Sequence, residues 1–156
     1  MIHRASLFLI ALSLAACTPV VHAAPANEPG VTPAATQSSL DQARARWRAA
    51  GITSYRVHVE RSCFCRGREP VDVEVRNGAV TSVRITETGA EAPREQWEWT
   101  PSIDAMFTQM SEALRAGTEV RAEYHPTLGY PTVAVIGTLA NDAGTQYNYT
   151  SLTPLR

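Results

Sequence analysis

Between Tyr55 and Ser62 the chain alternates strictly, with Tyr55, Val57 and Val59 on one side and Arg56, His58 and Glu60 on the other. A period of two predicts a half-buried strand, here over residues 52–62. Val71, Val73 and Val75 alternate with Asp72, Glu74 and Arg76 in the same way and predict a second strand. Asn77-Gly78 follows, the strongest short hairpin signal, because both turn residues need positive φ. A third strand over 79–85 changes phase. Val80 should share a face with Val75, whereas Val83 and Ile85 have the opposite parity, so a bulge is expected at Thr81 or Ser82. Val120, Ala122 and Tyr124 mark a fourth strand, 132–136 a fifth and 146–152 a sixth. The turns between these fall at 125–131 and at Asn141-Asp142-Ala143-Gly144.

Two stretches carry the helical period instead. Leu40, Ala43, Trp47 and Ala50 fall on one face, with Ser39 as N-cap, Gln42 completing a capping box and Gly51 ending the helix. Ile103, Met106, Phe107, Met110 and Leu114 form a stronger stripe, with Thr100 as N-cap, Pro101 in the first turn and Gly117 at the end. Trp47 and Phe107 are expected in the core, both against one sheet. Trp97 and Trp99 lie on one side if extended, covering the sheet edge or the following helix. The order is helix, three strands, helix, three strands, and every strand reaches the next through a short turn. This predicts an α+β fold: a six-stranded antiparallel sheet with two helices packed on one face.

The start of the chain follows another logic. His3 and Arg4 precede an apolar run over 5–16 that ends in Leu14-Ala15-Ala16-Cys17. The run is shorter than the roughly 20 apolar residues a spanning helix needs. It reads as a signal peptide, and the tetrapeptide resembles a bacterial lipobox. That resemblance implies cleavage before Cys17, diacylglycerol on its sulfur and an acyl chain such as palmitate on its new amine. Several acyl chains make a stable anchor. Thr18 rather than Asp after the Cys implies sorting to the outer membrane, with the domain facing the periplasm. Residues 17–37, rich in Ala, Pro and Thr, are expected to be a disordered tether, and 38–156 a single domain.

Composition narrows the picture further. The formal net charge is −1 at pH 7, and nothing marks a nucleic-acid surface. Arg44, Arg46 and Arg48 are explained as the wet face of a helix. Of three cysteines, lipidation would use one, leaving Cys63 and Cys65 in an oxidising compartment. Two residues of extended chain span about 6.6 Å, at the upper edge of the roughly 4.4–6.8 Å between bridged Cα atoms. A disulfide over so small a ring adds little by loop entropy and is open to reduction. The alternative is a thiolate pair for a soft ion such as Cu(I), with His58 and His125 as the remaining ligand candidates. By parity His58 points away from the face of Cys63, and His125 before Pro126 fits a turn. Asp72, Glu74, Glu119 and Glu123 are strand positions most simply solvated. No nucleophile elbow, phosphate loop or zinc motif appears, so no catalytic residue and no cofactor are expected.

Tyr55, Ser62-Cys63-Phe64-Cys65, Val73-x-Val75-x-Asn77-Gly78-x-Val80, residues 103–107 and Gly129-Tyr130-Pro131-Thr132 together resemble a family of uncharacterised exported bacterial proteins, domain of unknown function 6174. The resemblance implies no activity. The chain departs from it at His125 and near Gly137, where an acid is expected, so no cation-binding role is carried over to those positions. The expectation is an envelope-anchored lipoprotein that acts as a non-enzymatic binding module for an unidentified envelope protein or ligand. The alternative is a thiol-redox or copper-handling protein using Cys63 and Cys65.

Overall fold

Alternating valines build the sheet. The computed structural model describes residues 31–140 and 143–156. Cys17 with its lipobox and the Asn141-Asp142 turn lie outside the described residues. The elements are α1 (Gln37–Ala50), β1 (Tyr55–Ser62), β2 (Val71–Arg76), β3 (Ala79–Ile85), α2 (Arg94–Glu98), α3 (Ile103–Arg115), β4 (Val120–Tyr124), β5 (Pro131–Ile136) and β6 (Thr145–Pro154). The six strands form one sheet in the order β3-β2-β1-β6-β5-β4, every neighbouring pair antiparallel. This is the expected α+β sheet. The two halves of the chain meet at its centre, along β1 and β6.

One face of the sheet carries the core. Tyr55, Val57, Val59, Val71, Val73, Val75, Val83, Tyr147 and Tyr149 pack under Leu40, Ala43 and Trp47 of α1 and Ile103, Met106, Phe107 and Met110 of α3. Trp47 is 2% exposed and Phe107 0%, so both anchors are buried as their helical spacing predicts. Trp47 meets Tyr55 edge-on at 5.5 Å between ring centroids. Gly129, at φ +77°, lies against the backbone of Ala43, where a side chain would collide with the Ala43 carbonyl. The close approach of this turn to α1 therefore needs glycine.

The hairpin between β2 and β3 follows its sequence closely. Asn77 and Gly78 take φ of 49° and 81°. Val75 pairs with Val80, but Glu74 pairs with Ser82 and Val73 with Val83. Thr81 is the extra residue, and it restores Val83 to the core face as the phase change predicts.

Four local expectations are corrected. The N-cap of α1 is Thr36, whose side chain accepts from Ser39 N–H while Ser39 Oγ accepts from Thr36 N–H. Both residues have capping chemistry, and the box closes one turn earlier than Ser39 and Gln42 suggest. The N-cap of α3 is Ser102 rather than Thr100, whose hydroxyl donates to Gln96 O at 2.8 Å. Trp97 and Trp99 are not on an extended strand, because residues 94–98 form the short third helix, α2. The expected boundary between tether (17–37) and domain (38–156) falls a few residues too late. Ala35 N–H donates to Val120 O at 2.8 Å and Ala122 N–H to Pro33 O at 3.0 Å, so residues 33–35 run along β4 and cover its open edge. No helix among the described residues is long and apolar enough to cross a membrane.

Candidate functional site

β1 leaves the sheet at Ser62, and the next six residues form a tip at the end of the central strands. The alternation that buries Tyr55, Val57 and Val59 puts Arg61 on the same, helix-covered side. Arg61 therefore turns toward the core, opposite Tyr147 of β6. Its guanidinium lies over the ring of Trp99, 5.0 Å from the centroid. Burial pushes the Tyr147 phenol up from its ordinary range, and the Arg61 charge opposes that shift.

Cys63 and Cys65 lie at disulfide distance, with Cα atoms 5.3 Å apart. The kink that the extended spacing requires is thus present. Arg61 donates from Nε to Cys63 Sγ at 3.2 Å and from Nη2 to Cys65 Sγ at 2.8 Å. Its remaining nitrogen, Nη1, is buried without a partner, and no carboxylate pairs with the guanidinium among the described residues. The cysteines are half-buried, whereas Phe64 between them is 82% exposed.

Three open depressions surround this tip. One of about 320 Å³ is lined by Phe64, Cys65, Arg66 and Arg68. A second of about 580 Å³ borders Cys63, Arg61 and Glu69. The third, about 510 Å³, runs between Arg66, Gly67 and Trp99. Gly67, at φ +66°, faces the Trp99 ring, and a Cβ there would lie 3.4 Å from it. Trp99, 39% exposed, is thus the floor on which the tip rests.

The other candidates go elsewhere. His58 faces the helix-free side of the sheet, where Nδ1 lies 3.1 Å from Asp72 Oδ1 and 3.2 Å from Thr86 Oγ1. His125 Nδ1 accepts from the N–H groups of Thr127 and Leu128, and its ring stacks on Tyr130 at 5.0 Å. It is a turn residue. Neither histidine joins the cysteines: among the described residues no three His, Cys, Asp or Glu side chains gather to hold a metal ion. Glu74 pairs with Arg76 and, second, with Arg56, which hold its carboxyl below the usual range. Phe64 and Trp99 are the residues that sequence patterning misses. An exposed aromatic between two cysteines has no periodic signature, and Trp99 reads as cover for the sheet edge or the next helix.

Residues 39–154 match the model of a family of unknown function, DUF6174. No curated protein and no solved structure matches the chain. The match covers most of the sequence, and the chain belongs to this family.

Proposed function

We propose that this member of the family is a lipid-anchored envelope protein whose domain binds an acidic segment of another envelope protein through the Phe64 tip. The anchor reading is supported by Leu14-Ala15-Ala16-Cys17, with Thr18 directing the protein to the outer membrane. The binding reading is carried by one observation, the 82% exposure of Phe64 on a clip made by its two neighbours. A ring closed across a sequence separation of 2 adds little global stability by loop entropy. Its effect is local: it fixes the direction in which Phe64 projects.

The surroundings of Phe64 suit a protein contact. Arg66 and Arg68 are exposed beside it, and Trp99 is partly exposed across Gly67. Aromatic and arginine side chains in one patch are the types that dominate binding energy at interfaces. The charge is complementary to carboxylates, which favours an acidic partner and steers its approach.

Photo-crosslinking in the living cell tests this. A photoreactive phenylalanine analogue replaces Phe64, and as a control Thr150, exposed on the helix-free face of the sheet. The expected adduct at position 64 maps to an Asp- or Glu-bearing peptide of an envelope protein and disappears with Arg66→Glu and Arg68→Glu. An adduct no stronger than at position 150, an adduct with lipid alone, or one indifferent to charge reversal contradicts the proposal.

A further inference from the structure

We infer that Cys63 and Cys65 form a thiol–disulfide exchange site that oxidises dithiols, with Arg61 as the catalytic residue that stabilises the departing thiolate. The inference stands on Arg61 and the sulfurs and does not require a partner at Phe64.

The charge at the site is the reason. A disulfide is neutral and its sulfurs are weak acceptors, yet Arg61 directs two N–H groups at them, at 3.2 and 2.8 Å. A guanidinium is always charged and forms its strongest hydrogen bonds with anions. Here no carboxylate pairs with it among the described residues, and Nη1 is buried and unpartnered. A thiolate on Cys63 or Cys65 would give the two N–H groups already aimed at the sulfurs an anionic acceptor. The other charged groups lining the depressions beside the two cysteines are Arg66, Arg68 and Glu69, two cations against one acid. Such surroundings favour thiolate over thiol and the reduced pair over the disulfide, which makes the disulfide oxidising. Each sulfur also borders an open depression, so a thiol has access.

The exchange balances as follows. A thiolate of the substrate dithiol attacks Cys63 Sγ through the larger depression. The Cys63–Cys65 bond breaks, and Cys65 leaves as the thiolate held by Arg61 Nη2, the shorter of the two contacts. The second substrate thiol loses its proton and attacks the substrate sulfur of the mixed disulfide. Cys63 is released as a thiolate and takes a proton from solvent. Two electrons have passed to the pair, the substrate is a disulfide, and a second disulfide such as oxidised glutathione restores the starting state.

The test uses the full-length chain, purified from membranes in detergent, with dithiothreitol as the dithiol. Its rate of reduction is measured for the wild type, Arg61→Gln, Arg61→Lys and Thr150→Ala, with circular dichroism to confirm folding. The pH profile of iodoacetamide alkylation is then recorded on each reduced protein. Arg61→Gln should slow reduction about tenfold or more and move the alkylation midpoint to higher pH. Arg61→Lys should fall between, and Thr150→Ala, on the helix-free face of the sheet, should match the wild type. Equal rates and profiles in wild type and Arg61→Gln overturn the inference. If Arg61→Gln does not fold, the wild-type profile alone decides. A midpoint at or above the ordinary thiol value of roughly 8.5 overturns the inference, and one below it supports it. Dithiothreitol has no side chains to contact Phe64, so failure here leaves the binding proposal standing.

Discussion

The phenol oxygen of Tyr55, in the first position of β1, accepts the backbone N–H of Ile103, the first residue of α3, at 2.8 Å. The first N–H groups of any helix lack partners within it, and this one is buried. Beside it the Tyr149 hydroxyl donates to Pro101 O at 3.1 Å. Two tyrosines of the central strands thus hold the start of α3 to the sheet. Tyr55→Phe keeps the ring and removes the acceptor, leaving a buried N–H unpaired. The expected loss is about 1–3 kcal/mol, measured by urea unfolding. A loss inside the roughly 0.5 kcal/mol scatter of surface substitutions would show that the bond does not hold the helix.

The same burial sets the alkaline limit of the fold. Burial pushes the Tyr55 phenol up from 10.0 to about 12, and the Tyr124 phenol likewise to about 12. The neutral form is the one the folded state accommodates. Stability from these groups is therefore fully present below the unfolded value of 10.0 and is lost as pH rises toward about 12. Unfolding free energy should fall across that window, less steeply in Tyr55→Phe. A flat profile, with the folded protein's phenols ionising together near 10.0, would contradict the packing described.

Phe107 gives the second stability test. It is wholly buried, stacks on Tyr124 at 6.4 Å and lies under the Arg44 guanidinium at 5.5 Å. Phe107→Ala should cost about 3–5 kcal/mol by the same unfolding measurement. A loss below about 1 kcal/mol would mean that α3 collapses onto the sheet without it.

Much of this fold is written in side-chain parity, and what parity does not encode is where the expectations fail. The opposed phases of Val80 and Val83 disclose a bulge at Thr81 or Ser82, because a sheet face tolerates only one parity, and the strand register selects Thr81. The helix starts are less determinate. Thr36 and Ser39, and likewise Thr100 and Ser102, all have cap chemistry, and tertiary contacts choose between them. The pairing of residues 33–35 with β4 uses only backbone groups, which any side chains would permit. At the tip, the sequence names Cys63 and Cys65 and places Arg61, Arg66 and Arg68 close to them. That Arg61 is the one against both sulfurs follows from its parity with Tyr55, Val57 and Val59. The exposure of Phe64 depends on the kink between the cysteines, which only three dimensions supply.

Anchoring is tested by Cys17→Ser. The substitution removes the acceptor sulfur of the lipobox, so the protein should leave the membrane fraction and appear soluble or unprocessed. Continued membrane fractionation with cleavage at the same bond would contradict the anchor.

Both the presentation of Phe64 and the exchange chemistry require one covalent fact, that Cys63 and Cys65 are bonded to each other in the resting protein. The direct measurement is the mass of protein taken from the envelope, with free thiols alkylated at lysis before any reductant is added. The account predicts that a tip peptide containing both cysteines carries no label until it is reduced and two labels afterwards. Full alkylation of Cys63 and Cys65 without reduction would contradict it.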